Sequence, residues 1–146
     1  MIERIESPVP VELDALTALW ERSVRATHDF LAPEDIAFFR RMVREEALPG
    51  VEELYVVRDE KNGFAAFAGV EAGKLEMLFV APEKRGKGLG RILVKYVTAH
   101  CGVRHVDVNE QNAQAAGFYA RMGFRVVSRS ASDPSGRPYP ILHLAL

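Results

Sequence analysis

Apolar positions recur along the chain with two different periods, and their succession predicts an α/β protein. Ile2 to Ile5 alternate apolar and charged residues, the pattern of a short strand. After Ser7-Pro8-Val9-Pro10, the residues Leu13, Leu16, Leu19, Trp20 and Val24 return at three- and four-residue spacing. Val11 to about Thr27 is therefore predicted as an amphipathic helix. Asp29-Phe30-Leu31-Ala32 interrupts it. Pro33-Glu34-Asp35 suits a helix start, because proline loses nothing in the first turn and acids favour the dipole there. Phe38, Phe39, Met42 and Val43 form the apolar face of that second helix, which ends near Pro49-Gly50. Strands follow at Leu54 to Val57 and Phe64 to Val70, joined across Asn62-Gly63, a strong hairpin signal. Ala65, Ala66 and Ala68 leave little bulk on the second of them.

Leu75 to Val80 is an apolar run that reads as the next strand. Arg91 to His100 has helical spacing, and Val103 to Val108 is a short strand. Asn112 to Met122 is helical and closed by Gly123, a natural residue just past a helix end. Phe124 to Ser128 and Ile141 to Leu146 are the last strands, with a turn at Asp133-Pro134-Ser135-Gly136 between them. The order β-α-α-β-β-β-α-β-α-β-β, with hairpins joining strands and helices on the faces, implies a mixed α/β sheet. No repeat, linker or low-complexity stretch divides residues 1–146, which read as one domain.

The chemistry concentrates between strand and helix, at Arg85-Gly86-Lys87-Gly88-Leu89-Gly90-Arg91. A glycine-rich turn at a helix start aims free backbone N–H groups at one anion and lets a phosphate approach closely. Lys84, Arg85, Lys87 and Arg91 add positive charge. The P-loop pattern fails, because no Gly-Lys is followed by Ser or Thr. The dinucleotide fingerprint fails too, because Arg91 stands where its third glycine belongs.

The stretch Arg85 to Gly90 matches [RQ]-x-x-G-x-[GA], the pyrophosphate signature of the GNAT superfamily of acyl-CoA N-acyltransferases. Downstream, Asn109 to Phe124 resembles that family's second block, N-x(n)-A-x-x-[FL]-Y-x-[KR]-x-G-F, so the likeness covers about residues 75 to 128. Arg22 to Leu31 and Gly136-Arg137-Pro138-Tyr139-Pro140 make the chain similar to a bacterial branch of small, single-domain members. The resemblance implies a mostly antiparallel twisted sheet, splayed between its fourth and fifth strands and flanked by about four helices. It implies acetyl-CoA as cosubstrate, no metal, and transfer of the acetyl group to a primary amine by direct attack in a ternary complex. It places Leu78, Phe79 and Val80 along the pantetheine arm and Arg85, Gly86, Lys87, Gly88, Leu89, Gly90 and Arg91 around the pyrophosphate.

Tyr119 falls at the position of the family's tyrosine that protonates the departing thiolate; its neighbours Phe118 and Met122 offer packing instead. Asn112 is suited to cap its helix, and the family often sets an Asn there against the CoA arm. Glu76 is a lone acid in an apolar strand, where burial would raise its pKa towards that of a general base. His28 is the rival base; with Phe30 it falls where the family contacts the acceptor amine. His100, His105 and His143 show no metal spacing with Cys101.

Composition narrows the partners. Nineteen basic against twenty acidic residues, a formal net charge of −1, argue against a general nucleic-acid binder. Cys101 is the single cysteine, so no intrachain disulfide forms. No apolar run approaches the ~20 residues of a membrane span, and the N-terminus has no signal-peptide core, so a cytoplasmic protein is expected. The acceptor reads as a small-molecule or peptide amine; a homodimer is common among relatives. A CoA-binding sensor without turnover is the alternative function.

Overall fold

The computed structural model describes residues 1–146. Seven strands form one sheet in the order β1-β2-β3-β4-β5-β7-β6. They are β1 (Ile2–Ile5), β2 (Glu53–Arg58), β3 (Phe64–Glu71), β4 (Lys74–Val80), β5 (His105–Asn109), β6 (Arg125–Ser130) and β7 (Ile141–Ala145). Every neighbouring pair is antiparallel except β4 and β5. The helices are α1 (Pro10–Thr27), α2 (Pro33–Met42), a three-residue turn α3 (Leu48–Gly50), α4 (Leu89–His100) and α5 (Ala113–Arg121).

Two helices begin where the sequence supplies the missing partners. At α1, Glu12 reaches back to accept from the Val9 N–H at 2.9 Å, and Pro10 opens the first turn. At α5, Asn112 Oδ1 accepts from the Ala115 N–H at 3.1 Å, and Gly123, at φ +99°, lets the chain leave the helix. The helix predicted from Pro33 to Pro49 is interrupted: Val43–Ala47 is a π-helical turn between α2 and α3. No break is visible in the apolar spacing there, because a single widened turn shifts the phase by only one residue.

The sheet carries a core on each face. Leu16, Leu19, Trp20 and Val24 of α1 pack with Val56, Phe67 and Met77 on one side. Leu93, Val94 and Val97 of α4 pack with Ala66, Ala68, Val70 and Val106 on the other. The small residues of β3 thus face α4.

The sheet opens where expected. β4 and β5 pair only at Lys74↔His105 and Leu75↔Val106, then run on without each other. A bulge explains the opening. Gly69 faces Met77 while the next residue, Val70, faces Leu75, so Glu76 is an extra residue with no partner on β3. Bulges bend and twist a strand, and this one sits at the point of divergence. It also reverses the alternation, so Leu75 joins the α4 core and Met77 the α1 core. Gly69 stands opposite: a Cβ there would come within 2.6 Å of the Met77 methyl group, which would have to swing aside.

Candidate active site

The turn before α4 is built of unserved donors. Gly86 and Gly88 hold φ of +78° and +80°, the left-handed region that glycine reaches without strain. No side chain caps α4, and the first helical bond runs from the Ile92 N–H to Gly88. Consequently six consecutive N–H groups, Gly86 to Arg91, donate to no protein acceptor. Free donors gathered at a helix start are what an anion cradle of the kind the resemblance implies would need. Lys84, expected beside it, turns instead to Glu60, at 2.7 Å, which leaves Arg85, Lys87 and Arg91 as its cations.

From the cradle a cleft of about 220 Å³ runs into the splay, lined by Leu78, Phe79, Val80, Arg85, Gly90, Asn112 and Tyr119 among others. The bond from the Ala81 N–H to Ala65, at 2.8 Å, fixes the phase of the β3–β4 ladder. In an antiparallel pair the bonded positions alternate. Phe79 therefore spends its backbone groups on Phe67, whereas Leu78 and Val80 direct theirs towards the gap left by β5. The resemblance sets all three along the pantetheine arm; Phe79 has no free backbone groups to offer there, and its ring faces the α1 core.

Tyr119 is buried on the floor of this cleft, edge-on to Phe118 and Phe124, and its hydroxyl has no hydrogen-bond partner in the protein. Burial raises its pKa well above that of an ordinary phenol. It is thus a neutral donor with nothing yet to donate to.

A second cavity, of about 500 Å³, lies on the α1 side of the splay. Its walls are mostly apolar and include Trp20, Leu31, Phe39, Met77, Phe79 and Tyr139. Glu46, Glu76 and Asp133 bring carboxylates, and no Lys or Arg lines it. The π-helical turn contributes here, since Val43, Glu46 and Ala47 all reach the wall.

His28 and Phe79 line both cavities and so form the partition between them. A network sets the tautomer of His28. The Thr27 hydroxyl donates to the Ser23 carbonyl at 2.8 Å, so the contact of 2.7 Å between Thr27 Oγ1 and His28 Nδ1 takes its proton from the imidazole. Nε2 is then left as acceptor, and it faces Asn112 Nδ2 at 3.4 Å. Burial lowers the His28 pKa to about 4 against a weak opposing pull from Asp29. The ring is neutral at working pH.

Glu76 is not buried as its apolar neighbours suggested. The bulge turns it out to 40% exposure, 3.8 Å from Lys74, at the mouth of the second cavity. Lys74 in turn holds Asp107 at 2.6 Å, tying β4 to β5 below the splay. Burial raises the Asp107 pKa, but the bonds from Lys74 and His143 outweigh it and keep the carboxylate below its usual range. Phe30, expected at the acceptor surface, lines neither cavity. It packs against His28 at 5.3 Å and Tyr139 at 6.0 Å and supports the wall from behind. Asn112 is the cap it was expected to be, and it also borders the cleft.

Sequence reasoning missed Glu46, Asn109 and Asp133 as cavity residues. Asp133 read as a turn former, which it is; nothing in its local pattern says that the turn folds over α2. That fold-back rests on Tyr139, whose hydroxyl donates to Asp35 and accepts from the Ala32 N–H at 3.2 Å, and on Arg137, 2.8 Å from Asp35 and 3.7 Å above the Phe38 ring.

Comparison with known proteins agrees with this geometry. The profile of the acetyltransferase (GNAT) domain family matches residues 25–134. The peptidyl-lysine N-acetyltransferase YjaB of Escherichia coli is 41% identical over 134 residues, 92% of this chain and 90% of that protein. The solution structure of apo-form YjaB superposes with a TM-score of 0.84 at 38% identity, covering 99% of this chain and 97% of that one. A PaiA N-acetyltransferase from Thermoplasma acidophilum, in complex with coenzyme A, shares the fold at 18% identity with a TM-score of 0.65, covering 100% and 99% of the two chains.

Proposed function

The chain belongs to the GNAT family of N-acetyltransferases, and from that premise we propose that it moves the acetyl group of acetyl-CoA to the side-chain amine of a peptide lysine, by direct attack in a ternary complex. Residues 1–146 act as one catalytic unit in this reading. The observation that carries it is the meeting of two cavities of opposite character at His28 and Phe79. One reaches the turn with six free N–H groups and has Arg85 and Arg121 on its wall; the other is a mostly apolar sleeve with carboxylates and no Lys or Arg. A phosphate-bearing thioester suits the first. An alkyl ammonium on a methylene arm suits the second, and the names of the YjaB relatives point to lysine as that arm.

Bound acetyl-CoA supplies a thioester, an acyl group already activated towards amines. The N–H groups of Gly86 to Arg91 hold the pyrophosphate, with Arg85, Lys87 and Arg91 neutralising its charge. The free backbone groups of Leu78 and Val80 line up the pantetheine arm and polarise the acyl carbonyl. Tyr119 holds a proton at its hydroxyl for the departing sulfur. Its raised pKa does not disqualify it, because the same dry surroundings raise the pKa of a thiol as well. Glu76, at the mouth of the amine cavity, takes the proton of the entering ammonium through water. His28 shapes the partition and presses the amine towards the acyl group.

The test is incubation of the protein with acetyl-CoA and lysine-containing peptides. Thiol release that saturates in both substrates, with one acetyl group gained on the lysine Nζ by mass spectrometry, is the expected result. Tight acetyl-CoA binding without thiol release, across a broad amine panel, would overturn the reading in favour of a CoA sensor.

A further inference from the structure

The loop between β6 and β7 brings to the amine cavity a carboxylate with no direct ion pair in the protein. Asp133 is 8% exposed and lines the cavity beside Tyr139 and Asn109. Its two oxygens have different fates. Oδ1 accepts three hydrogen bonds within the loop, from the Ser135 N–H at 2.9 Å, the Ser135 hydroxyl at 2.6 Å and the Arg137 N–H at 2.9 Å. Oδ2 accepts none. The Arg137 guanidinium pairs with Asp35 at 2.8 Å, lies over the Phe38 ring and reaches Asp133 only through the Ser135 hydroxyl, at 3.1 Å, with no direct ion pair. No Lys or Arg lines the cavity.

A buried carboxylate normally has a cationic partner, because removing it from water is costly. The three loop donors fix the orientation of Asp133 and relieve one oxygen. They leave the second without a protein donor, on a residue that lines a cavity with mostly apolar walls. That is the environment an alkyl ammonium would complete: the methylenes lie against Phe39, Leu31 and Ile141, and the head group meets the free oxygen.

We propose that Asp133 is the anchor for the acceptor's ammonium group and the residue that selects cationic amines. This rests on the lysine-acceptor reading above, but names the atom that does the selecting, Oδ2. Glu46 and Glu76 differ from it because both are solvent-exposed at the cavity mouth, where water screens them. Asp133 acts in binding; the proton leaves later.

Asp133→Asn separates this role from loop structure, since the amide oxygen can keep the three Oδ1 bonds while the charge is lost. With a lysine peptide, the variant should raise KM for the peptide about tenfold or more, as expected for losing one charge-assisted hydrogen bond. KM for acetyl-CoA and the thermal midpoint should stay at the wild-type values. A second measurement does not depend on turnover: NMR titration with n-butylammonium chloride, the lysine side chain without its backbone. Saturable shifts at the Asp133, Ser135 and Arg137 amides are expected in the wild type. Binding should be at least about tenfold weaker in Asp133→Asn, with n-butanol binding both proteins alike. Equal n-butylammonium affinity in the two proteins, or none in the wild type, would overturn the proposal. Failure of the lysine-acceptor reading alone would appear differently, as n-butylammonium binding that needs Asp133 while no lysine peptide is acetylated.

Discussion

At Tyr119 and His28, burial acts on a proton in opposite directions. It holds the Tyr119 proton on, since the phenolate would be stranded in a dry cleft, and it keeps a second proton off His28. Tyr119→Phe removes one oxygen and little volume. It should lower kcat by about 10²-fold or more, the usual contribution of a positioned acid, with KM for acetyl-CoA within about twofold. Steady-state kinetics checks this; a kcat within threefold of the wild type would mean that sulfur takes its proton from water. His28 makes stability depend on pH. Its folded pKa of about 4 lies below the ordinary 6.5, so the unfolded chain gains the proton first as pH falls. The stability from this residue is whole above pH 6.5 and is lost progressively down to about 4. At ~1.4 kcal/mol per pH unit the loss is at most about 3 kcal/mol. The carboxylates with lowered pKa act at lower pH: Glu3, Glu21, Glu60 and Glu110 through and below their ordinary 4.5, and Asp35 and Asp107 through and below 3.8. Urea unfolding at pH 7 and at pH 4.5 should therefore show a fall that His28→Gln largely abolishes.

Two elements make the site, the turn into α4 and the bulged strand β4, and they differ in how visible they are in sequence. The turn is announced by glycine spacing, because a phosphate cradle constrains residue types one by one. Gly88 shows the constraint. A Cβ there would meet nothing within 4 Å, so the obstacle is its φ of +80° and not space. Gly88→Ala should cost about 1–2 kcal/mol of stability through the left-handed backbone. Calorimetry should also find weaker acetyl-CoA binding, as the turn relaxes and its N–H groups lose their common focus. The bulge leaves almost no trace. Leu75, Met77, Leu78, Phe79 and Val80 are all apolar, so a reversal of faces at Glu76 cannot be read from them, and Glu76 looks like a buried acid when it is an extruded one. The π-helical turn at Val43–Ala47 is hidden for a similar reason. Strand positions were legible to within two residues from alternation and turn signals. The insertion of β7 between β5 and β6 was not, since that pairing joins distant residues and has no local code.

Across the whole molecule, charge is separated more than it is accumulated. The formal net charge is −1, yet one side of the splay carries Arg85, Lys87 and Arg91 around free N–H groups, and the other carries Glu46, Glu76 and Asp133. The two halves of the sheet meet only at Lys74 and Leu75 on β4, so both poles open onto one cleft. Net charge could not reveal this, because the opposing sets cancel in the sum; the π-helical turn, the β4 bulge and the fold-back of the β6–β7 loop each bring one of the acids. Under the proposed function, the arrangement would attract an anionic donor and a cationic acceptor from opposite sides and keep each from the other's cavity. Salt should therefore weaken both substrates. Raising ionic strength from about 0.02 to 0.5 M shortens the screening length from roughly 20 Å to about 4 Å. KM should rise for acetyl-CoA and for a lysine peptide, while kcat changes little, because the reacting groups are shielded from bulk ions once bound. The acceptor's salt dependence should persist in Glu76→Gln to the extent that the buried Asp133 carries it, since a buried charge is screened less than an exposed one. An acceptor KM indifferent to salt would mean that the apolar sleeve alone binds the arm, and the carboxylates would then have no part in choosing the amine.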